Sequence, residues 1–162
     1  MTGRRVVAAW AAVTGALLFC LFGGWTYTRA ESDESLAYAS SRDTALAEGS
    51  RHVENLTSFD AEHPQAALRQ WLDASTGPLR EELKRSRTKT GRTATSEITD
   101  AALTALDDRT GTAGLIATVE VRTTPPGGGT PNTERKRLEA ALSRTADGWK
   151  VRSLAAVPVG GV

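Results

Sequence analysis

The sequence predicts an α+β protein in which an N-terminal transmembrane helix precedes an exterior domain. In that domain, a long helix and two short helices pack on a curved antiparallel sheet of about four strands. Three observations support this fold class: an uncharged N-terminal run, helical periodicity after it, and alternating apolar and polar residues in the second half. A chain of 162 residues has room for one soluble domain beside an anchor.

The first element is a predicted membrane anchor. Residues 6–27 carry no charge, and as a helix rising about 1.5 Å per residue they would cover roughly 33 Å, enough to span a bilayer. Arg4 and Arg5 precede this run, and acidic residues follow it from Glu31 onward. The positive-inside rule therefore predicts a single-pass protein of the cell membrane, with a cytoplasmic N-terminus and an extracytoplasmic C-terminal domain.

The ends of the span are consistent with retention in the membrane. Trp10, Trp25 and Tyr27 lie near the two ends, where aromatic side chains favour the headgroup layer. Cleavage as a signal peptide is the alternative, since residues 28–30 loosely resemble a cleavage site. However, the apolar run exceeds the roughly 7–15 residues of the apolar region of a signal peptide. The lone Cys20 lies in the span, so the exterior domain has no disulfide.

A stalk helix is predicted over residues 31–60, between the anchor of residues 1–30 and an α+β domain of residues 61–162. This segment lacks proline, and its apolar residues recur with a period near 3.5. The stripe consists of Leu36, Ala39, Leu46, Gly49, Val53 and Leu56. It predicts packing on the sheet of the same domain or, alternatively, self-association with a partner helix.

Two short helices follow, over residues 64–74 and from Pro78 to about residue 87. Asp60 is suited to cap the first of these helices. Gly77 and Pro78 predict a bend between them, and Glu81 and Glu82 are expected in the first turn of the second. The apolar face of the first helix comprises Ala67, Leu68, Trp71 and Leu72.

Strands are predicted in the rest of the chain. "ATSEITDAALTALDD" reads as a strand, and "AGLIATVEVR" is a half-buried strand by its alternation. "TTPPGGGTPN" predicts a long exposed loop, and Asp147-Gly148 predicts a hairpin turn. The expected inner-face residues are Leu115, Ala117, Val119, Val121, Leu138, Ala140, Leu142, Trp149, Val151 and Ser153, with Lys150 and Arg152 facing solvent.

Few residues suit catalysis or metal binding. His52 and His63 have no neighbouring ligands at metal-binding spacing, so both are interpreted as surface histidines. A hydrolase or isomerase would need carboxylates in the cone, and the candidates are Glu97, Asp100 and Glu120. Without a histidine or tyrosine partner, solvated strand faces explain these three better. We expect no enzymatic activity, no cofactor and no metal.

A basic segment is the one candidate contact site. It comprises Lys84, Arg85, Arg87, Lys89 and Arg92. Positive charge complements the partial negative charge of a helix C-terminus, which explains part of the basic segment. The alternative interpretation is contact with anionic headgroups or an acidic partner. Beyond residue 30 the chain has 17 basic and 19 acidic residues, a net charge of −2, which argues against nucleic acid as a partner.

The layout resembles that of the Mce-associated membrane proteins of actinobacteria. The resemblance rests on the short basic N-terminus, the single span, the long helix, the two helices around "LDASTGPL" and the final strands with "DGWKVRSLAAV". It implies a cone-shaped, nuclear-transport-factor-two-like fold, also similar to the inner-membrane component of type IV secretion. It further implies an accessory or scaffold role in an envelope complex, including one linked to lipid transport. The alternative is a module that binds a lipid or small molecule in the cone.

Overall fold

The computed structural model describes residues 35–86, 91–127 and 129–157, which form three helices and a four-stranded sheet. The elements in chain order are α1 (residues 35–57), α2 (Pro64–Ala74), α3 (Gly77–Arg85), β1 (Thr93–Asp107), β2 (Thr112–Thr124), β3 (Asn132–Thr145) and β4 (Gly148–Ala156). The strands pair antiparallel in the order β1-β2-β3-β4. This confirms the predicted α+β class for the described residues.

The predicted anchor, with its aromatic ends, lies outside the described residues. Within the three described ranges, no helix is both long and apolar enough to cross a membrane. The chain divides into two units between residues 40 and 41. In the first unit the described residues 35–40 are helical and exposed, including Leu36 and Tyr38.

Helix α1 packs on the sheet through small residues spaced one helical turn apart. Ala45 and Val53 are fully buried, and Gly49 lies between them. A Cβ added at Gly49 would lie 2.6 Å from Cδ1 of Leu142, a separation that real side chains do not tolerate. Gly49 therefore allows α1 to approach β3 closely.

The predicted apolar stripe is confirmed in the second half of α1. Leu46 and Leu56 pack against the core, whereas Leu36 and Ala39 are exposed. The sequence prediction missed Ala45, because alanines are frequent along the stalk and only contact with the sheet distinguishes this one.

The inner faces of β2 and β3 are as predicted. Alternate residues of both strands are buried, which is the period expected when one face of a sheet packs on helices and the other is open. These buried residues are Leu115, Ala117, Val119, Val121, Leu138, Ala140 and Leu142. The ambiguous segment before them is strand β1, as predicted.

Strand β4 departs from the predicted alternation. Trp149 and Val151 are buried as expected, but the pairing with β3 skips Arg152, which forms a bulge. One extra residue in a strand moves every later side chain to the opposite face of the sheet. Ser153 is therefore exposed and Leu154 packs on the core, so the prediction for Ser153 was wrong.

Helix α2 has the predicted bounds, but α3 is displaced. It begins at Gly77 and ends at Arg85, rather than running from Pro78 to about residue 87. Glu81 and Glu82 consequently lie beyond the first turn, which contains no acidic residue. The predicted interaction of these two carboxylates with the helix N-terminus was wrong.

The segment before α2 ties the helices to the sheet edge. Phe59 and Ala94 exchange two backbone hydrogen bonds of 2.7 and 2.8 Å, which extends the sheet beyond β1. The Phe59 ring lies 5.4 Å from that of Trp71, whose indole nitrogen donates to the Ser58 carbonyl at 2.8 Å. Trp71 thus anchors α2, as its place on the predicted apolar face suggested.

Candidate functional site

The bend between α2 and α3 is held by backbone geometry. Gly77 adopts a left-handed φ of +54°, and the Thr76 amide donates to the Val151 carbonyl at 2.8 Å. The Arg80 guanidinium donates to the Leu72 carbonyl, which also accepts from the Ser75 amide where α2 ends. The segment is therefore a bend between two helices, as predicted, and the Thr76 contact attaches it to β4.

The basic segment is only partly within the described residues. Lys84 pairs with Glu81 at 2.8 Å, and the Arg85 side chain donates to the Glu81 carbonyl at 3.0 Å, so both stabilise the end of α3. Arg92 is exposed beside the β2–β3 loop. Arg87 and Lys89 lie outside the described residues. The contact role of this segment stays a prediction.

The three candidate carboxylates lie on the outer face of the sheet, opposite the helices. Glu97 and Glu120 are directly paired across β1 and β2, and Asp100 pairs with Thr118. Glu97 and Asp100 are exposed, and Glu120 lies 3.8 Å from Arg135. The solvated-face interpretation is confirmed, since the carboxylates do not enter the space between helices and sheet.

Asp60 and His63 form a local turn before α2. Oδ2 of Asp60 lies 2.9 Å from Nδ1 of His63, and Oδ1 of Asp60 accepts from the Glu62 amide. The hydrogen bond with Asp60 raises the pKa of His63, and the same contact lowers the pKa of Asp60. His63 itself is the N-cap residue of α2, so the predicted capping role of Asp60 was wrong.

His52 is not a surface residue. Its side chain points from α1 towards β4 and is 7% exposed. Burial lowers the pKa of His52, and the nearby positive charges of Lys150 and Arg51 act in the same direction. A backbone hydrogen bond at Trp149 and the Glu48 carboxylate oppose this shift. The Nδ1 atom has no partner among the described residues.

The spacing along α1 shows which residues lie on the same side as His52, but only contact with the sheet shows that this side is buried. His52 follows Ala45 by seven residues and Glu48 by four, so all three share one side of α1. The described residues hold no cluster of three metal-ligating side chains. His52 itself is a buried residue with a titratable ring.

Glu48 fixes the β3–β4 hairpin, a role the sequence analysis missed. Its Oε2 atom accepts from the Trp149 amide at 2.7 Å. Gly148, at φ +96°, leaves room for this carboxylate, because an added Cβ would lie 2.7 Å from Oε2. The two partners are 101 residues apart, so no local pattern could predict the contact.

A second polar contact joins α1, the β1–β2 turn and β3. Asp108 accepts from the Ser41 hydroxyl at 2.5 Å and pairs with Arg144 at 2.9 Å. The Arg144 guanidinium also lies over the Trp149 ring, 5.4 Å from its centroid. These groups stabilise packing at the end of the domain near residue 41, where the Asp108 carboxylate is shared between Ser41 and Arg144.

Large side chains fill the space between α1 and the sheet around Trp149. The largest fully buried residues are Trp149, Leu115, Leu142, Val53, Val119 and Val151. The described part of the chain has a groove on the outer face of the sheet, away from the helices, between Asp100 and Arg137. A second groove lies beyond the edge of β1, beside Phe59.

Comparison with known proteins shows similarity of structure only. No known protein family and no curated protein matches the sequence. CagV, a VirB8 homolog of the type IV secretion system from Helicobacter pylori, has a TM-score of 0.58 at 11% identity, over 73% of this chain and 99% of that chain.

Two further solved structures have the same fold. An IcmL-like type IV secretion system protein from Legionella pneumophila has a TM-score of 0.56 at 12% identity, over 75% of this chain and 95% of that chain. VirB8 from Agrobacterium tumefaciens has a TM-score of 0.52 at 13% identity, over 71% and 92%. The fold is therefore the nuclear-transport-factor-two-like α+β fold of VirB8-like domains, as the resemblance implied.

Proposed function

We propose that this protein is a non-enzymatic, single-pass membrane protein whose extracytoplasmic domain is an accessory or scaffold component of an envelope complex. The observation that carries the proposal is the fold, which this chain shares with components of type IV secretion systems. The predicted span at residues 6–27 supplies the membrane anchor.

The positions of the titratable residues support a role without catalysis. Glu97 and Asp100 are exposed on the outer face, whereas His52 is buried on the opposite side of the sheet. A general base needs an acid or nucleophile within hydrogen-bonding distance. Among the described carboxylates and histidines, Asp60 contacts His63 within an exposed turn, and Asp108 contacts the Ser41 hydroxyl but is already paired with Arg144.

We propose that the partners are other proteins of the cell envelope, with the basic segment of residues 84–92 as one contact. Membership of the Mce-associated proteins stays a prediction from layout. The proposed link to lipid transport has no supporting observation in the described domain, where large side chains occupy the space around Trp149.

Affinity purification of the full chain from mild detergent tests the scaffold role. We expect at least one envelope protein to co-purify with this chain. Purification of that envelope protein should in turn recover this chain. A matched variant with the five basic residues replaced by glutamine should lose that partner if the segment binds protein. Recovery of the full chain as a lone protein in both directions would contradict the proposal.

Membrane topology can be measured by cysteine labelling in a Cys20→Ser background. A membrane-impermeant maleimide applied to intact cells should label Ser153→Cys, because Ser153 is exposed in the domain. Thr2→Cys should react only after the cells are opened. Labelling of Thr2→Cys in intact cells, without labelling of Ser153→Cys, would reverse the predicted orientation.

A further inference from the structure

The first part of strand β3 has a neighbouring strand on one side only. Strand β4 pairs with β3 as far as Leu138, which lies opposite Ala156, and the Val157 amide then donates to the Arg137 carbonyl at 2.9 Å. Strand β3 itself begins at Asn132. Residues 132–136 therefore pair with β2 on one side and with no described residue on the other. We call these residues the open edge of β3.

The main chain of the open edge points away from β2 at every second residue. In an antiparallel sheet, the N–H and C=O groups of one residue point to the same neighbouring strand, and this direction alternates along the chain. The Arg137 carbonyl bonds Val157, so it faces the β4 side. The amides and carbonyls of Thr133 and Arg135 face the same side, where the described residues place no partner for them. An added strand can therefore pair with both residues.

The other sheet edges in the described part of the chain are obstructed. The edge of β1 pairs with Phe59 at Ala94, and the pairing of β1 with β2 shifts at two points further along. The edge of β4 bonds the Thr76 amide at Val151 and bulges at Arg152. Coverage and bulges of this kind hinder strand addition. The pairing of β2 with β3 has no such shift, so the open edge offers a regular template.

The side chains of the open edge carry mainly positive charge. Arg135 lies on the outer face of the sheet, as does Arg137 at the end of the edge, and Lys136 lies on the face that the helices occupy. All three are exposed. Glu134 is the acidic residue of this run and lies 3.3 Å from Lys136. Glu139, the next charged residue along β3, lies where β4 already pairs with β3.

The charges of β2 lie one strand further from an added segment. Glu120 is opposite Arg135, at 3.8 Å, and Arg122 is opposite Thr133. An added strand lies about 4.8 Å from β3 and about 10 Å from β2. Opposite charges on adjacent strands stabilise their pairing and like charges weaken it, so the side chains of β3 have the larger influence. The open edge therefore favours an acidic segment.

We propose that the open edge of β3 binds an extended acidic segment of an envelope protein, which joins the sheet as a further strand. The backbone of this segment pairs with Thr133 and Arg135, and its acidic side chains lie opposite Arg135 and beside Arg137. In this mode of recognition, main-chain hydrogen bonds supply affinity and alternate side chains supply specificity. The inference rests on the proposed function, since it names one contact by which the scaffold holds a partner.

The chain's own C-terminal residues match the open edge poorly. Residues 158–162 follow Val157 directly, but they include a proline, two glycines and no charged residue. Proline and glycine are depleted in strands. Without an acidic residue, this segment also has no charge to complement the arginine and lysine side chains. An acidic partner segment fits the edge better on both counts.

A proline at residue 133 tests the backbone pairing in the full chain, purified in mild detergent. Thr133→Pro removes an amide that faces the open side, so the domain should stay folded. Recovery of the co-purifying envelope protein should fall about tenfold or more, because an added strand loses a donor and meets the proline ring. Thr133→Val keeps the amide and is the matched control, with recovery as in the wild type. Thermal unfolding checks that both variants are folded.

A charge reversal tests the preference for an acidic segment. Arg137→Glu should lower recovery of the same envelope protein about fivefold or more, because like charges then face each other. Arg109→Glu makes the same change at an exposed residue of the β1–β2 turn, at the other end of the sheet, and should leave recovery unchanged. If Thr133→Pro unfolds the domain, this pair of variants decides the question.

Photo-cross-linking in intact cells identifies the bound segment. A photoreactive amino acid at residue 133 should cross-link to the same envelope protein, and mass spectrometry should place the product in an acidic stretch. The same group at residue 65, where Gln65 is exposed on α2, is the control and should not give this product. A cross-link to residues 158–162, to a second copy of this chain or to a segment without acidic residues would overturn the proposal.

The inference and the proposed function fail in different measurements. An envelope protein recovered equally well with folded Thr133→Pro, or with Arg137→Glu, overturns the inference and leaves the scaffold role in place. A wild-type chain that recovers no envelope protein contradicts both.

Discussion

At the scale of single residues, His52 shows how tertiary packing changes the chemistry of a side chain. The ring lies between α1 and β4 with Lys150 and Arg51 nearby, and burial and these positive charges oppose its protonation. The folded state therefore binds this proton less readily than the unfolded state does. Stability must then depend on pH in a defined direction.

We predict that the free energy of unfolding rises as pH rises towards 6.5, because the folded state binds the His52 proton more weakly than the unfolded state does. Its lowered pKa means that the stabilisation is present above the unfolded value of 6.5 and declines as pH falls below it. Denaturant unfolding of His52→Gln at several pH values should show a smaller slope than the wild type.

His63 provides the matched control, because its pKa is raised by Asp60. Its contribution has the opposite sign: it is present below pH 6.5 and is lost as pH rises. His63→Ala should therefore steepen the rise of stability with pH. The carboxylates with lowered pKa, Asp60, Glu81 and Asp107, act at lower pH. An unchanged slope in His52→Gln would show that His52 does not control this dependence.

At the scale of elements, the hinge between α2 and α3 depends on one left-handed residue. Gly77 has a φ of +54°, which side-chain-bearing residues adopt only at a cost. The adjacent Thr76 amide contacts β4, so the position of α3 follows from this backbone turn. Sequence alone suggested a bend here, since glycine before proline disfavours a continuous helix.

We predict that Gly77→Ala lowers the free energy of unfolding by about 1–2 kcal/mol, while Gly77→Asn costs less because asparagine tolerates left-handed backbone better. Gly91→Ala is the control, since a Cβ there meets nothing within 4 Å and its φ is not left-handed. It should be neutral or slightly stabilising. Equal losses at both glycines in denaturant unfolding would refute the backbone explanation.

Strand identity was predictable from alternation, but register in β4 was not. Leu115 to Val121 and Leu138 to Leu142 reveal their inner faces by period two alone. The bulge at Arg152 depends on how β4 meets β3, so Leu154 rather than Ser153 joins the core. The apolar spacing changes from two to three residues between Val151 and Leu154, but only the pairing with β3 shows that this change is a bulge.

At the scale of the whole molecule, one apolar core joins α1, the α2–α3 pair and the sheet. Val53 of α1, Leu115 of β2 and Trp149 of β4 belong to the same buried cluster, and Leu79 of α3 packs against it. Removing a large side chain from this cluster leaves a cavity that surrounding elements fill only partly. The effect should extend to the cooperative unfolding of the domain.

We predict that Leu115→Ala lowers the free energy of unfolding by about 2–5 kcal/mol. Leu36→Ala makes the same chemical change at a side chain that is 67% exposed, so it should alter stability by less than about 0.5 kcal/mol. Denaturant unfolding followed by tryptophan fluorescence measures both. Comparable losses would show that burial of Leu115 contributes little.

The sequence by itself determined the α+β class, the order of helices and strands, and the inner faces of β2 and β3, because these follow from local periodicity and turn residues. It did not determine the burial of His52, the contact of Glu48 with Trp149, or the placement of Asp100 and Arg137 across one face. Only tertiary structure decides these, since each joins residues far apart in the chain. The physical reason is that contact and register depend on the partner strand or helix, which no local pattern contains.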